Sequence, residues 1–287
     1  MTDDPITAFE SLGYTKREAA FLYLVGVHSG YFLRRQFDYF IDRFKGAVAA
    51  NFLARACAAG HVTPIAYPQG WRVYHLCSRT IYRILGDPEN PNRRRKADAH
   101  IRTRLLTLDY VLENDTEEYF DTDEKKICFL RDCRGIPESL FLDSGGRLHS
   151  ALRSVTLSVV DGKYAATCLV RAMYADRSTL VPVTLFRRVL EGIGPAMRAL
   201  GTAEIIFASC SAYKFELAEE EFCRQFDQVA RNPQSMLSEN SFGRCGTSTH
   251  PEPNGHVEFT TILFRSPYPQ RQNNEARCSV RGSIIAS

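Results

Sequence analysis

The feature that most constrains this chain is a switch of hydrophobic period between Thr15 and Leu76, from helical to alternating. Thr15-Lys16-Arg17-Glu18 has the form of a capping box, in which Thr15 accepts from the amide of Glu18 and Glu18 reaches back. Ala20, Phe21, Leu24 and Val25 then share one helical face, and Ser29-Gly30 ends it. The spacing predicts a second helix over Leu33–Arg43, with Phe37, Phe40 and Ile41 inward. A third is predicted over Gly46–Ala59, with Val48, Phe52 and Cys57 toward the core and Gly60 in the left-handed position past its end. His61–Tyr67 and Trp71–Leu76 alternate as strands do, and Pro68-Gln69-Gly70 between them is a turn. Three helices followed by a hairpin is the order of a winged helix-turn-helix. A DNA-binding domain is therefore expected over residues 1–86.

Charge supports a polyanion partner at this end of the chain. Through Glu113 there are 16 Lys/Arg against 11 Asp/Glu, and after it 20 against 22. Hydrophobic content of 44% and charged content of 24% exclude a disordered polyelectrolyte. No apolar run approaches the roughly 20 residues of a membrane span. The acidic start MTDDPITAFESLG is unlike a signal peptide, so a cytoplasmic protein is expected. Nine scattered cysteines without a CxxC pair read as reduced thiols. Cys245, His250 and His256 lack zinc-ligand spacing, and no metal or cofactor is expected.

A winged helix lays its third helix in the major groove while the wing and helix ends hold phosphates. In that helix Lys45, Asn51 and Arg55 turn away from the apolar positions. Asn suits adenine, Arg and Lys suit guanine or phosphate, and the methyls of Ala47, Ala49 and Ala50 allow close approach. Arg34 and Arg35 open the second helix, Arg43 ends it, and Arg72 lies on the wing. Arg93-Arg94-Arg95-Lys96 forms a basic run suited to phosphate or a flanking minor groove. Each of these positions also suits an ordinary solvated surface. His75 reads as a structural strand residue.

A short helix near Arg79–Leu85 and the stiff stretch Gly86–Pro91 lead into a basic linker and connecting helix over 87–116. Ile101, Leu105, Leu108 and Leu112 form a narrow apolar seam there, for a dimer contact or for packing on a second domain. From 117 to 264 the pattern is α/β. Thr122–Arg134 reads as helical, and Arg153–Val160 and Tyr164–Tyr174 as strands joined at Asp161-Gly162. A helix over Leu185–Leu200, a buried strand over Ala203–Ser209 and an amphipathic helix over Phe215–Phe226 follow. Residues 227–256 read as loop, Val257–Phe264 as an edge strand, and 265–287 as a disordered tail.

Asp161 and Asp176 are the candidate magnesium carboxylates for phosphodiester cleavage. A restriction-nuclease site needs a lysine two residues after its second acid, and Ser178 stands there instead. Cys210 has no local activating base and reads as a structural cysteine.

Ser29–Gln36, Val73–Leu76, Arg93–Arg95 and Arg104–Leu112 resemble the replication-relaxation family of bacterial plasmids and integrated elements. The resemblance implies an N-terminal winged helix joined to a degenerate restriction-endonuclease-like domain, with Tyr174–Thr179, the helix from Leu185 and the strand at Ile205–Phe207 in the second. The expectation is a sequence-specific double-stranded DNA-binding homodimer that controls transcription or replication of a mobile element. Its second domain would supply dimerisation or sensing. The rivals are a nuclease using Asp161 and Asp176, and an adaptor whose winged helix binds protein.

Overall fold

In a computed structural model the chain is described over residues 4–42, 46–160, 162, 168–176, 183–209, 211–226 and 256–263. Its fold is mixed α and β, with helices around two separate sheets. Two compact units meet in sequence at Asp115–Thr116. No helix among the described residues is long and apolar enough to cross a membrane.

The first unit opens with α1 (Pro5–Glu10), capped by Asp4, and α2 (Lys16–Leu24). Both halves of the expected capping box are present: Glu18 N–H donates to Thr15 Oγ1, and Thr15 N–H donates to Glu18 Oε2 at 2.8 Å. A π-helical turn, Val25–Ser29, closes on Gly30, whose φ of +76° is left-handed backbone that glycine tolerates best. A short strand β1 (Tyr31–Phe32) follows, then α3 (Arg34–Phe40), where Gln36 reaches back to accept from the N–H of Leu33, the residue before the helix. Next come α4 (Val48–Ala58), β2 (Val62–Ala66), the tight turn Pro68–Gly70 and β3 (Arg72–Leu76). The unit ends with α5 (Arg79–Ile84) and α6 (Asp98–Glu113). β1 was not legible in sequence: it is two residues long and exists by pairing with β3, giving an antiparallel sheet of order β1-β3-β2.

Aromatic rings fill the core of this unit. Phe37 and Phe52 stack at 4.2 Å, and Phe21 meets Phe32, Phe37 and Phe52 edge-on. Such pairs add about 0.5–1.5 kcal/mol each beyond their burial. The sheet's two faces differ in what they cover. Val62, Tyr74 and Leu76 point to the aromatic core beneath α4. Ile65 and Val73 point the other way and, with Tyr31 and Leu33, pack on Ile101 and Leu105 of α6. The connecting helix is thus part of the first unit. Leu108 and Leu112 complete its seam within the aromatic core, so the four apolar positions are spent inside this unit. The hairpin is accordingly a braced one, with Tyr67 and Trp71 stacked at 4.4 Å and Tyr67 bonded to Asp98 at 2.8 Å.

The second unit begins with β4 (Glu118–Phe120), α7 (Asp123–Cys128) and a π-helical turn through Cys133. The expected strand over Arg153–Val160 starts late: Ser150–Ser154 is a helical turn, α8, and β5 runs Thr156–Val160. β6 (Leu169–Ala175), α9 (Thr184–Ala199), β7 (Thr202–Ser209), α10 (Phe215–Phe226) and β8 (His256–Leu263) complete it. The sheet order is β4-β5-β6-β7-β8, antiparallel through β6 and parallel from β6 to β8. Parallel neighbours need crossovers, and α9 and α10 supply them. Leu157, Val170, Ile205 and Phe207 of the sheet meet Phe186, Leu190 and Ile193 of α9 and Phe222 of α10. Residues 163–167, Cys210, Cys245, His250 and the expected tail lie outside the described residues.

Candidate nucleic-acid interface

The candidate surface is the outward side of α4. Ala49, Phe52, Leu53 and Ala56 are buried at helical spacing and anchor the helix to the core. Ala47, Ala50, Asn51, Ala54, Arg55 and Ala58 repeat at the same spacing on the other side, and all are exposed. Val48, expected in the core, is 37% exposed, while Ala49, expected outward with Ala47 and Ala50, is buried in its place. No carboxylate occurs from Gly46 to Ala59.

α2 lies beside this helix and brings cations with it. Arg55 pairs with Glu18 at 2.5 Å, where Glu18 is 7% exposed and simultaneously caps α2. Arg17 donates to the carbonyl of Ile41 at the α3–α4 corner. Arg17 is exposed there, and Lys16 is exposed in the same turn of α2. Sequence reasoning passed over both, although their place in the capping box marks them as outward residues of a first helical turn. Arg72 extends from the same sheet face as Tyr74 and Leu76, the face toward α4, and is exposed. Its charge also reaches Cys57 in the last turn of α4, where burial pushes the thiol up and Arg72 opposes that shift. Near the same helix end the Tyr14 hydroxyl meets His61 Nδ1 at 2.7 Å. Burial pushes the Tyr14 phenol up to about 12 and lowers His61, so both stay neutral near pH 7.

The sequence-derived residues therefore divide. Asn51, Arg55 and Arg72 share the α4 side. Arg93–Lys96 lie across the sheet, on the face of Tyr31 and His75. There the Tyr31 hydroxyl accepts from Lys96 N–H at 2.8 Å and donates to the Arg94 carbonyl at 3.3 Å. His75, stacked on Tyr31 at 4.5 Å, donates from Nε2 to the Asn92 carbonyl at 2.7 Å. The basic run is thus pinned through its backbone and is no loose linker. Arg93 turns inward to the Pro88 carbonyl at 2.7 Å, while Arg94 and Arg95 are exposed. Arg34 is exposed and 3.5 Å from Asp38. Arg35 forms a two-pronged pair with Asp109 of α6 at 2.9 and 2.7 Å. Burial pushes the Asp109 carboxyl up, and the Arg35 guanidinium and Gln36 amide oppose that. Arg43 and Lys45 lie outside the described residues.

The second unit holds two polar constellations that sequence reasoning did not see. Ser158, Arg171 and Glu204 stand in register across β5, β6 and β7. Burial would discharge Arg171, but the carboxylates of Glu117 and Glu204 hold its pKa up instead. Asp176, just past β6, pairs at 2.5 Å with Lys214, from the turn after β7; their side chains are 8% and 1% exposed. A lysine does reach this acid, but from far along the chain and in a sealed pair, which occupies the carboxylate. Asp161 lies outside the described residues, and among the described residues no group of three His, Cys, Asp or Glu could hold a metal ion. No family model matches the chain, and no curated protein or solved structure matches it.

Proposed function

We propose that the first unit is a winged helix-turn-helix and that the protein binds double-stranded DNA sequence-specifically through α4. The observation that carries this is an uncovered helix face, free of carboxylates, with exposed Arg17 bonded at the end of α3 before it and exposed Arg72 near Cys57 of its last turn. Helix, strand, helix, helix and hairpin in this order, with the sheet order β1-β3-β2, support the winged-helix reading. The small side chains let α4 approach base edges, and the cations around it suit the phosphates on either side. Arg94 and Arg95, on the other sheet face, suit a flanking phosphate contact.

The regulatory role is part of the same proposal: a cytoplasmic regulator of transcription or replication of a mobile element, related to the replication-relaxation family. Its second unit is proposed as a restriction-endonuclease-like fold without nuclease action, since Asp176 is occupied by Lys214. A homodimer would use a surface other than the α6 seam, which is buried.

Footprinting and fluorescence anisotropy across the DNA upstream of the protein's own gene test the proposal. Expected is binding that weakens steeply with salt and resists random competitor. Asn51→Ala should cost about 1–3 kcal/mol on the preferred site alone. Equal losses on preferred and random duplexes would remove Asn51 as a base reader. A protein that ignores duplex DNA at physiological salt would instead be the protein-binding adaptor.

A further inference from the structure

We infer that Tyr82 of α5, Arg104 of α6 and Arg93 of the pinned basic run form a site for a small oxyanion of the phosphate class, independent of the DNA-binding reading. The Tyr82 side chain is fully buried, and its hydroxyl makes no hydrogen bond. A buried donor left in that state is costly unless something accepts from it. The hydroxyl lies 3.2 Å from the point where a Cβ on Gly30 would stand, and the Cβ of Asn92 lies 3.0 Å from the same point. Arg104 reaches this corner from α6 and donates to the carbonyl of His28, two residues before Gly30, at 3.3 Å. Among the described residues no carboxylate pairs with Arg104. Burial lowers its guanidinium, and the groups opposing that shift are the phenols of Tyr82 and Tyr31. Arg93 follows Asn92 and closes the corner. One of its terminal nitrogens donates to the Pro88 carbonyl and lies 3.4 Å from the exposed Glu89 carboxylate, while its Nε is buried without a hydrogen bond.

All three groups are donors, two of them are cations, and no bond joins the Tyr82 hydroxyl to either guanidinium. A ligand that satisfies them together accepts hydrogen bonds from several directions and is negatively charged. A phosphate group has three or more acceptor oxygens and close to two negative charges near pH 7. A carboxylate, with two oxygens in one plane and a single charge, leaves a donor and part of the positive charge unmet. Water satisfies the hydroxyl but brings no charge to Arg104. The Tyr82 hydroxyl lies below the surface, out of reach of an intact duplex backbone, whereas Arg93 and Arg104 are partly exposed and admit a small solute from their side. Seated there, the anion ties α5 and α6 to the run whose next residues, Arg94 and Arg95, are exposed.

The test titrates the full chain by calorimetry with inorganic phosphate and, separately, with ribose 5-phosphate, at an ionic strength fixed with sodium chloride. One site per chain is expected. Binding of inorganic phosphate alone identifies the free anion as the ligand; ribose 5-phosphate bound as tightly or more tightly identifies a phosphate monoester. Tyr82→Phe deletes only an unbonded hydroxyl, so its urea midpoint in chloride should match or exceed the parent's. Its phosphate affinity should fall about ten-fold or more, the loss of one hydrogen bond to a charged group. Arg104→Gln should lose about 100-fold, and if that variant fails to fold, Tyr82→Phe decides the matter alone. Phosphate affinity unchanged in Tyr82→Phe would place the anion elsewhere on the surface and overturn the inference. No binding at millimolar phosphate would overturn it too, leaving water as the partner of the hydroxyl. Acetate bound as tightly as phosphate would overturn the assignment to the phosphate class.

Discussion

Arg35 offers the sharpest separation of a structural cation from an interface cation. Its sequence position, at the start of the helix before α4, suits a phosphate contact, yet the structure turns it to Asp109. The Asp109 side chain is 6% exposed and that of Arg35 42%. Arg35→Ala leaves the carboxylate with the Gln36 amide at 2.8 Å but without a counter-charge. Removing one partner of a fully buried pair costs about 3–5 kcal/mol. Because Arg35 is partly open to water, which can screen the exposed carboxylate edge, the expected loss is about 2–3 kcal/mol. The chain's one tryptophan, Trp71, packs on the cluster joining the hairpin to α6, so its fluorescence during urea unfolding follows the first unit. Adding Asp109→Asn to Arg35→Ala removes the stranded charge and should restore more than about 1 kcal/mol of that loss. Acid should act in the same direction. The Asp109 carboxyl already sits above its ordinary value through burial, and without Arg35 it rises further. The folded form then takes up a proton before the unfolded one, and the deficit shrinks as pH falls from 7 toward 4. A variant within about 0.5 kcal/mol of the parent that loses DNA affinity would refute this assignment and return Arg35 to the interface.

Three further outcomes follow from the same unit. Gly30→Ala combines a left-handed φ with a Cβ 3.0 Å from that of Asn92 and 3.2 Å from the Tyr82 hydroxyl; it should cost about 2 kcal/mol by the same tryptophan readout, and an unchanged midpoint would contradict that packing. Glu18→Gln keeps a capping side chain but frees Arg55, so stability should change by about 1 kcal/mol or less while the salt slope of duplex binding steepens by about one phosphate contact. An unchanged slope would mean that Arg55 stays turned away from DNA. His61 and His75 are both lowered by burial, so the unfolded chain protonates first on acidification; the stability of the neutral rings is present above about pH 6.5 and is lost as pH falls through the folded values. Urea midpoints that stay flat between pH 8 and 5 would show that neither ring is held neutral by the fold.

Most helices and strands were legible because their causes are local. The Thr15–Glu18 box, the outward spacing of Asn51 and Arg55, and the alternation of Val62–Ala66 and Arg72–Leu76 all act within a few residues. Residues whose state depends on a partner far away were misplaced or missed. Val48 followed the helical apolar pattern, but Ala49 took the inward position. Tyr31–Phe32 is a strand only because His75 and Tyr74 pair with it. The seam of α6 carried the right spacing, and its partners, Tyr31, Ile65 and Val73 among them, come from the segment before it.

By itself, then, the order of residues determined which segments coil, which extend, and which helix turns Asn51 and Arg55 outward, because backbone preference and amphipathic spacing are short-range. Tertiary structure alone decided which charges remain available. It committed Arg35 to Asp109, Arg55 to Glu18 and Lys214 to Asp176, and it set Arg72 and the Arg93–Lys96 run on opposite sides of one small sheet. The physical reason is desolvation. A charge drawn below the surface must find its counter-charge wherever the chain passes close by, and that neighbour lies tens of positions away in sequence.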